Sequence, residues 1–417
     1  LPYPATVYSE TATEARQLFE DNFSNGNVSD ANVTALDQMS VAYLEEARDL
    51  NMLANIASQM AKDWIADGQP GDPAPIWTGD RYIPNPKVND AFNWTPSNQC
   101  PVNMEEPLRY DKFKTQLAAL TANDIIWCDF TVEVNDKTDP TGKKKKTVRS
   151  IAPFGWLIEY GDTAYIVMRG TQNEYDGKID TMAAKVINPI AGFGKGKTHN
   201  GFTIAYKGLG PKGEERPADV PGISLFDALN NTTKTKIKIG GHSLGSAIST
   251  LITNYAQTFN KFDRIEGYVS ASPTVGNQKY ADYFNALSDK DGNLFENNFY
   301  RLTNKNDIVP MLPGSWLQYV AVAQEVLFDA PYTDPDNLVK TAKNHQICCC
   351  YAYALKHPLD VFNPKNEDLT CKFPVGPASP DYFSLEQHLD SLILYYGSWV
   401  DNPDGTVSTT FTTVYPN

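Results

Sequence analysis

The chain has 417 residues, of which 41% are hydrophobic and 12% aromatic, a composition that supports a sizeable buried core and excludes an intrinsically disordered chain. The formal net charge of -14 argues against a nucleic-acid partner and against electrostatic attachment to anionic membranes. The sequence contains no run of about 18 or more apolar residues, so we predict no transmembrane segment.

The chain begins Leu1-Pro2-Tyr3-Pro4 without an initiator methionine, which predicts a mature secreted protein whose signal peptide has been removed. Sequons for N-glycosylation agree with passage through a secretory pathway. Their asparagines are Asn22, Asn27, Asn32, Asn93, Asn230 and Asn231.

The sequence has six cysteines, an even number. In a secreted chain this predicts one to three disulfides, and the sequence leaves their pairing open. The run 348–350 lacks the ligand spacing of a zinc site, so we predict no metal. The six residues are Cys100, Cys128, Cys348, Cys349, Cys350 and Cys371.

Residues 1–110 are predicted to form a helical and irregular extension packed on a main domain at 111–417. A Thr-x-x-Glu capping box at Thr11 opens a first helix, and apolar spacing over 30–66 predicts a second. Residues 68–107 are rich in Pro, Asn, Asp and Trp, which is typical of an irregular surface covering.

The main domain begins with alternating runs that predict β-strands. A short helix over 117–123 precedes them, and the strands span 125–134, 147–152, 154–160 and 164–168.

A later alternating run, Thr235–Ile239, leads into Gly241-His242-Ser243-Leu244-Gly245 and then into a helix-like stretch, 246–259. A strand-to-helix turn that lifts a serine hydroxyl clear of a sheet leaves no room for side chains two residues away on either side. The pattern is therefore that of a nucleophile elbow, and it predicts Ser243 as a nucleophile. The five residues alone also occur in ordinary loops; the strand before and the helix after favour the elbow.

Four further segments accompany the elbow in order: 168–171 (Met-Arg-Gly-Thr), 198–202 (Thr-His-Asn-Gly-Phe), 271–277 and 306–313. Together they resemble the class 3 family of fungal lipases over residues 110–315. This resemblance implies an α/β-hydrolase fold, an α/β architecture with a central, mostly parallel sheet flanked by helices, here with a helical N-terminal extension.

The same resemblance implies an oxyanion hole. Attack on an ester places negative charge on the carbonyl oxygen, which donors fixed in advance stabilise. In the family, the residue equivalent to Thr171 supplies a backbone N–H and its hydroxyl, and the residue equivalent to Leu244 supplies a second N–H.

A serine hydroxyl needs a histidine base, and the base needs an acid that orients its ring. Asp307 is the predicted acid, because it follows the predicted strand 298–303 and stands in a family box. Residues 314–382 form a longer connection than the family usually carries, which we interpret as an insertion in the main domain.

Because the acid and the base follow the nucleophile in the chain, His199 and His242 are interpreted as structural. The remaining histidines are His345, His357 and His388. His388 is the preferred base, since it resembles the family's His-Leu box ahead of the last helix, and His345 is the alternative.

The family places a lid between Thr171 and His199, and an amphipathic pattern there predicts a lid helix. Gly177 weakens this helix, which leaves an esterase without interfacial activation as an open alternative. The apolar residues of the predicted lid are Tyr175, Ile179, Met182 and Val186.

We therefore expect a secreted carboxylic-ester hydrolase, a lipase acting on acylglycerols and related long-chain esters through a Ser-His-Asp triad and an acyl-enzyme. The expected partner is a lipid or ester substrate, at a lipid-water interface where a lid operates, and no cofactor is expected. A broad esterase, a feruloyl esterase or a phospholipase would use the same residues. A non-catalytic binding protein of the same fold is a more remote alternative, and the sequence leaves chain-length preference and oligomeric state open.

Overall fold

The computed structural model describes residues 33–66, 76–78, 81–83, 111–136, 144–182, 185–187, 196–313, 317–329, 344–356, 399–401 and 407–409. Its strands are β1 (Val33–Ala35), β2 (Ile76–Thr78), β3 (Arg81–Ile83), β4 (Ile125–Asn135), β5 (Lys145–Tyr160), β6 (Thr163–Met168), β7 (Lys185–Ile187), β8 (Lys197–His199), β9 (Lys236–His242), β10 (Arg264–Ser270), β11 (Phe299–Asn304), β12 (Gln324–Phe328), β13 (Trp399–Asp401) and β14 (Val407–Thr409). Its α-helices are α1 (Val41–Ala66), α2 (Lys114–Ala119), α3 (Glu174–Asp180), α4 (Asn200–Gly208), α5 (Leu225–Asn231), α6 (Leu244–Gln257), α7 (Gln278–Asn285), α8 (Phe295–Asn298) and α9 (Tyr353–Lys356). Short 3-10 helices span Leu36–Gln38, Asp111–Phe113, Ala122–Asp124 and Val309–Met311, and a π-helix spans Ile347–Ala352.

A central sheet of eight strands organises the described part of the chain, in the order β1-β12-β11-β10-β9-β6-β5-β4. The first six strands in this order, β1-β12-β11-β10-β9-β6, are each parallel to their neighbours. The last two, β5 and β4, pair antiparallel and form one edge of the sheet. The expected mostly parallel sheet flanked by helices is thereby confirmed.

The register of the parallel strands aligns their carboxyl ends. Met168 of β6 pairs with Gly241 of β9, and His242 pairs with Ser270 of β10, which in turn pairs with Leu302 of β11. Chain segments that leave these strands therefore start from one edge of the sheet, which is where open α/β sheets place their sites.

Both faces of the sheet are covered, which explains why β6 is buried along its whole length. Successive side chains of a strand point to opposite faces. Tyr165 and Val167 accordingly join a core cluster with α1 residues, whereas Ile166 and Met168 join a second cluster with α4 and α6 residues. The site edge is therefore held between two separate hydrophobic layers.

The helix predicted over 30–66 begins later than expected, at Val41. The hydroxyl of Ser40 accepts the N–H of Tyr43 at 3.2 Å and caps this end. Val33–Ala35 instead forms β1, which pairs with β12. The predicted helix at Thr11 lies outside the described residues.

Within the described residues, no helix combines the length and the apolar character that crossing a bilayer requires.

Candidate active site

Ser243 occupies the sharp turn between β9 and α6 at the carboxyl edge of the sheet. Its backbone has φ 56 and ψ -127, a conformation that a residue with a side chain seldom adopts. Its N–H donates to the carbonyl of Ser270 at 3.1 Å, and its own carbonyl accepts the N–H of Ser246 at 2.9 Å. The backbone of the turn is thus fixed on both sides.

The two glycines of the motif allow β9, α6 and β6 to approach one another. A Cβ added to Gly241 would lie 2.5 Å from the backbone of Gly245. A Cβ added to Gly245 would lie 2.4 Å from the carbonyl oxygen of Met168. Neither position accepts a larger residue without a backbone shift, as the elbow interpretation requires.

The Ser243 hydroxyl contacts the imidazole of His345, with Oγ 2.8 Å from Nε2. The other ring nitrogen, Nδ1, lies 2.8 Å from Oδ2 of Asp307. The relative exposures of Ser243, His345 and Asp307 are 8%, 1% and 0%. Because Nδ1–H donates to the carboxylate, Nε2 is left as the acceptor for the serine proton.

The Asp307 carboxylate is held by further donors. Its Oδ1 accepts the backbone N–H of Val309 at 3.0 Å. Its Oδ2 accepts the hydroxyl of Tyr351 at 2.6 Å in addition to the His345 ring. Burial and the Asp307 charge raise the pKa of Tyr351, so its hydroxyl stays a donor.

Polar side chains join the segment that carries His345 to the segment that carries Asp307. Asn304 donates from Nδ2 to the carbonyl of Asn344 at 3.3 Å and contacts Sγ of Cys350 at 3.2 Å. Asn344 donates to the carbonyl of Asn306 at 3.0 Å. These bonds hold the acid and the imidazole in a fixed relation although they are far apart in the chain.

The ring of His242 lies against the ring of His345, with centroids 4.8 Å apart at 39°. Its Nδ1 is 2.9 Å from Oγ of Ser270. Burial and the neighbouring His345 lower the pKa of His242 far below its usual value, so this ring is neutral at ordinary pH. The His242 ring therefore packs on the base His345. The hydrogen bond of the Ser243 hydroxyl goes to the His345 ring.

The backbone after β6 passes directly beside the nucleophile. A Cβ added to Gly170 would lie 3.3 Å from Cβ of Ser243. The next residue, Thr171, is buried, and its hydroxyl donates to Oδ2 of Asp180 at 2.8 Å. Leu244 is the first residue of α6, where an N–H has no partner within its own helix. Of the two predicted oxyanion donors, Leu244 thus follows Ser243 in the chain, and Thr171 follows Gly170, whose backbone lies beside Ser243.

Residues 165–316 match the family model described as Lipase (class 3). This stretch is similar to the class 3 lipases. The resemblance drawn from the ordered sequence boxes is confirmed. The matched stretch includes Thr171, Ser243, Leu244 and Asp307, and it ends before His345.

Relatives of known name match over limited lengths. Secreted mono- and diacylglycerol lipase A of Penicillium cyclopium is 33% identical over 107 residues, 26% of this chain and 32% of that protein. Secreted mono- and diacylglycerol lipase 1 of Fusarium solani is 29% identical over 161 residues, 38% of this chain and 41% of that protein. Phospholipase A1-II 1 of Oryza sativa subsp. indica is 26% identical over 144 residues, 32% of this chain and 34% of that protein. The chain spans less than half the length of each of these curated relatives.

A solved structure of nonglycosylated LIP2 lipase from Yarrowia lipolytica is 19% identical, covers 70% of this chain and 81% of that chain, and has a TM-score of 0.39. The fold assignment rests on the sheet order of this chain itself.

The imidazole at the elbow is that of His345, the alternative base. His388, the preferred base, lies outside the described residues, as does His357. Chain order left three histidines as candidates for the base. The pairing of His345 with Asp307 is a tertiary contact that leaves no local signal in the sequence. Tyr351 was not among the predicted site residues for the same reason.

The segment predicted as a lid helix is shorter than its apolar spacing indicates. The helix α3 ends at Asp180, and Val186 lies in β7, which pairs with β8. Ile179 is fully buried, and Tyr175 and Met182 pack against the second core cluster. Three of the four predicted lid residues thus pack inward in this structure, and the fourth, Val186, belongs to a strand.

Two cysteines in the described residues, Cys128 and Cys350, are buried free thiols, so they form none of the expected disulfides. The sequon residues Asn230 and Asn231 are exposed at the end of α5. The other sequon asparagines lie outside the described ranges. Among the residues that the structure describes, no group of three or more His, Cys, Asp or Glu side chains is placed to hold a metal ion.

Proposed function

We propose that the protein is a carboxylic-ester hydrolase in which Ser243 is the nucleophile, His345 the general base and Asp307 the acid that orients the base. One observation carries this proposal: the His345 ring bonds Ser243 Oγ through Nε2 and Asp307 through Nδ1, each at 2.8 Å. This assignment replaces His388 by His345 as the base. The class 3 lipase match over the nucleophile and the acid supports it.

The proposed reaction has two halves. Ser243 Oγ bonds to the ester carbonyl carbon while His345 Nε2 takes the hydroxyl proton, and the alcohol then leaves with that proton. Water attacks the acyl-enzyme, gives a proton to His345 and releases the acid, and the proton returns to Ser243. The Asp307 carboxylate stabilises the cationic ring in both halves.

The negative oxygen formed in each half would be bound by the backbone N–H groups of Leu244 and Thr171. Leu244 stands at the amino end of α6, where the helix dipole also favours negative charge. The Thr171 hydroxyl proton is directed at Asp180, so this hydroxyl acts by fixing the turn beside Gly170.

The proposed substrates are acylglycerols and related long-chain esters, and the proposed location is extracellular. The relatives from Penicillium and Fusarium, both named secreted mono- and diacylglycerol lipases, support both points.

The test is hydrolysis of a p-nitrophenyl ester series by the wild type and by Ser243→Ala, His345→Ala and His388→Ala variants. We expect Ser243→Ala and His345→Ala to lower kcat by about 10⁴-fold or more, as loss of a triad member does, and His388→Ala to stay near wild type. A serine-directed phosphonate should label Ser243 in the wild type. Equal activity of wild type and Ser243→Ala would refute the proposal, and a dead His388→Ala beside an active His345→Ala would restore the first choice of base.

A phospholipase is the second candidate, because a rice protein named phospholipase A1-II 1 also matches this chain. Fatty-acid release from diacylglycerol and from a diacyl phospholipid, measured side by side, separates the two. A higher kcat/KM on the phospholipid would favour this second candidate. Feruloyl esters and short-chain esters in the same assay cover the remaining esterases.

A further inference from the structure

A chain of buried polar side chains leads from α1 to the base. Asn51 of α1 lies beneath Ser270, Ser270 contacts His242, and His242 packs on His345. Each of these side chains is buried. The family match covers Ser270 and His242 and includes neither Asn51 nor His345. These contacts therefore join Asn51, which precedes the matched stretch in sequence, to His345, which follows it.

The directions of the hydrogen bonds in this series of contacts follow from the orientation of the Asn51 side-chain amide. Asn51 donates from Nδ2 to the carbonyl of Ile347 at 3.4 Å, which turns its Oδ1 toward Ser270. The Ser270 hydroxyl donates to that Oδ1 at 2.7 Å. A hydroxyl has one proton, so Ser270 Oγ can only accept from Nδ1–H of His242, 2.9 Å away. The hydrogen bonds thus fix the orientation of the His242 ring.

The fixed His242 ring in turn limits where the His345 ring can lie. It packs against His345 at 4.8 Å and against Tyr351 at 5.5 Å between centroids, the two side chains that bond Asp307 Oδ2. The bond from Asn51 to Ile347 holds the backbone two residues beyond His345. Asn51 therefore acts on the base from two sides, through a ring and through the chain.

We propose that Asn51 and Ser270 are positioning residues that, through His242 and the Ile347 carbonyl, hold the His345 imidazole in line with Ser243 and Asp307. The proposal rests on the proposed function, since it assigns these residues a role in the same hydrolysis. A small displacement of a base from its reacting atoms costs up to about 100-fold in rate.

A matched pair at position 270 tests the hydrogen bond apart from side-chain volume. Ser270→Thr keeps the hydroxyl, and Ser270→Val has nearly the same volume as threonine without it. We expect Ser270→Val to lower kcat by about tenfold or more, with KM for a short soluble ester within about twofold of wild type, because substrate contacts are untouched. Ser270→Thr should recover most of that loss. Equal kcat for the two variants would overturn the proposal.

A second variant tests the network as a unit and covers the case in which Ser270→Val does not fold. Asn51→Leu removes both amide bonds at similar volume and should lower kcat by a comparable factor, and the Asn51→Leu/Ser270→Val double variant should lose little more than either single one. Ser58→Ala, which removes another buried hydroxyl of α1, is the control and should keep wild-type kcat. A wild-type kcat for Asn51→Leu, or independent losses that multiply in the double variant, would refute the proposal.

A spectroscopic readout separates positioning from general destabilisation. The His345 Nδ1 proton bonded to Asp307 should give a far-downfield NMR signal that weakens in Asn51→Leu and Ser270→Val and persists in Ser270→Thr. An unchanged signal in all variants would contradict the proposal. If Ser243→Ala retains activity, the proposed function itself fails; if Ser243→Ala is inactive while Ser270→Val matches Ser270→Thr, only the positioning role fails.

Discussion

Tyr351 bonds the carboxylate that orients the base, and its hydroxyl also accepts the backbone N–H of Asn304 at 3.2 Å. Tyr351→Phe would leave that buried N–H and one carboxylate lone pair without their partner. We predict a free energy of unfolding lower by about 2 kcal/mol. We also expect kcat to fall by about tenfold through misorientation of Asp307.

Urea unfolding and steady-state kinetics on a short p-nitrophenyl ester measure the two effects. Tyr255→Phe is the control, since the Tyr255 hydroxyl accepts a backbone N–H from Lys212 instead. A Tyr351→Phe enzyme with unchanged kcat would show that Val309 and His345 hold Asp307 without help.

Thr171 is the residue at which the hydroxyl and the backbone N–H can be separated. Its hydroxyl donates to Asp180, so Thr171→Val removes that bond at nearly constant volume while the N–H remains. We predict a loss of up to about 100-fold in kcat, because release of the turn beside Gly170 displaces the remaining N–H from the reacting oxygen. Thr171→Ser, which keeps the hydroxyl, should lose less than about threefold. Equal rates for the two variants would show that the hydroxyl has no part in the reaction.

The site residues that sequence reasoning reached are those next to strand ends. Ser243 and Thr171 follow β9 and β6 within a few residues, so local patterns place them at the carboxyl edge. His345 reaches the same point through its bond to Asp307, 38 residues earlier in the chain. The carbonyl of its neighbour Asn344 is held by Asn304, 40 residues before Asn344. Such contacts leave no periodic trace, and a resemblance near the C-terminus favoured His388 instead.

At the scale of elements, α3 is anchored to the segment that directly follows β6. Arg169 and Asp176 form a fully buried ion pair at 2.7 Å, and Asp176 also accepts the N–H groups of Gln172 and Asn173. Moving α3 outward would leave a buried charge without its partner, at a cost of about 3–5 kcal/mol. We therefore expect the helix to stay in place while substrate binds.

We accordingly predict hydrolysis without interfacial activation by α3. The initial rate on tributyrin should rise hyperbolically and pass the solubility limit of the substrate without a step, because an outward movement of α3 would break the buried Arg169–Asp176 ion pair. A pH-stat titration over both concentration ranges measures this. A sharp rise above the solubility limit would contradict this prediction.

The elements also show the limit of periodicity. The spacing of apolar residues predicted one helix over 30–66, yet Val33–Ala35 pairs with β12, almost 300 residues later in the chain. A three-residue strand carries too short a pattern to be distinguished from a helical one. In contrast, the predicted ends of β9 and α6 lie within three residues of the observed ones. The reason is that periodic sequence precedes Gly241 and follows Gly245.

For the molecule as a whole, two buried histidines couple folding to pH. Burial lowers the pKa of His199 to about 3. Burial and the neighbouring His345 lower the pKa of His242 well below its usual value. Both rings are neutral in the folded protein, whereas in the unfolded chain they take up protons near pH 6.5. The unfolded state then binds more protons, so stability is complete above about pH 6.5 and falls as the pH is lowered toward 3.

His199→Asn isolates one of these contributions. The Nδ1 of His199 accepts the N–H of Phe202 and caps α4, a role that asparagine also performs, and asparagine does not titrate. The variant should be less stable than wild type at pH 7, because the His199 ring is stacked on Phe202 at 3.9 Å. Between pH 7 and pH 5 the wild type should lose about 2 kcal/mol more than the variant, at about 1.4 kcal/mol per pH unit below 6.5. Urea unfolding at both pH values gives the two differences. If the free energies of unfolding of the two proteins fall in parallel, His199 takes up its proton over the same pH range in the folded and the unfolded state, and the assignment of a neutral buried ring is wrong.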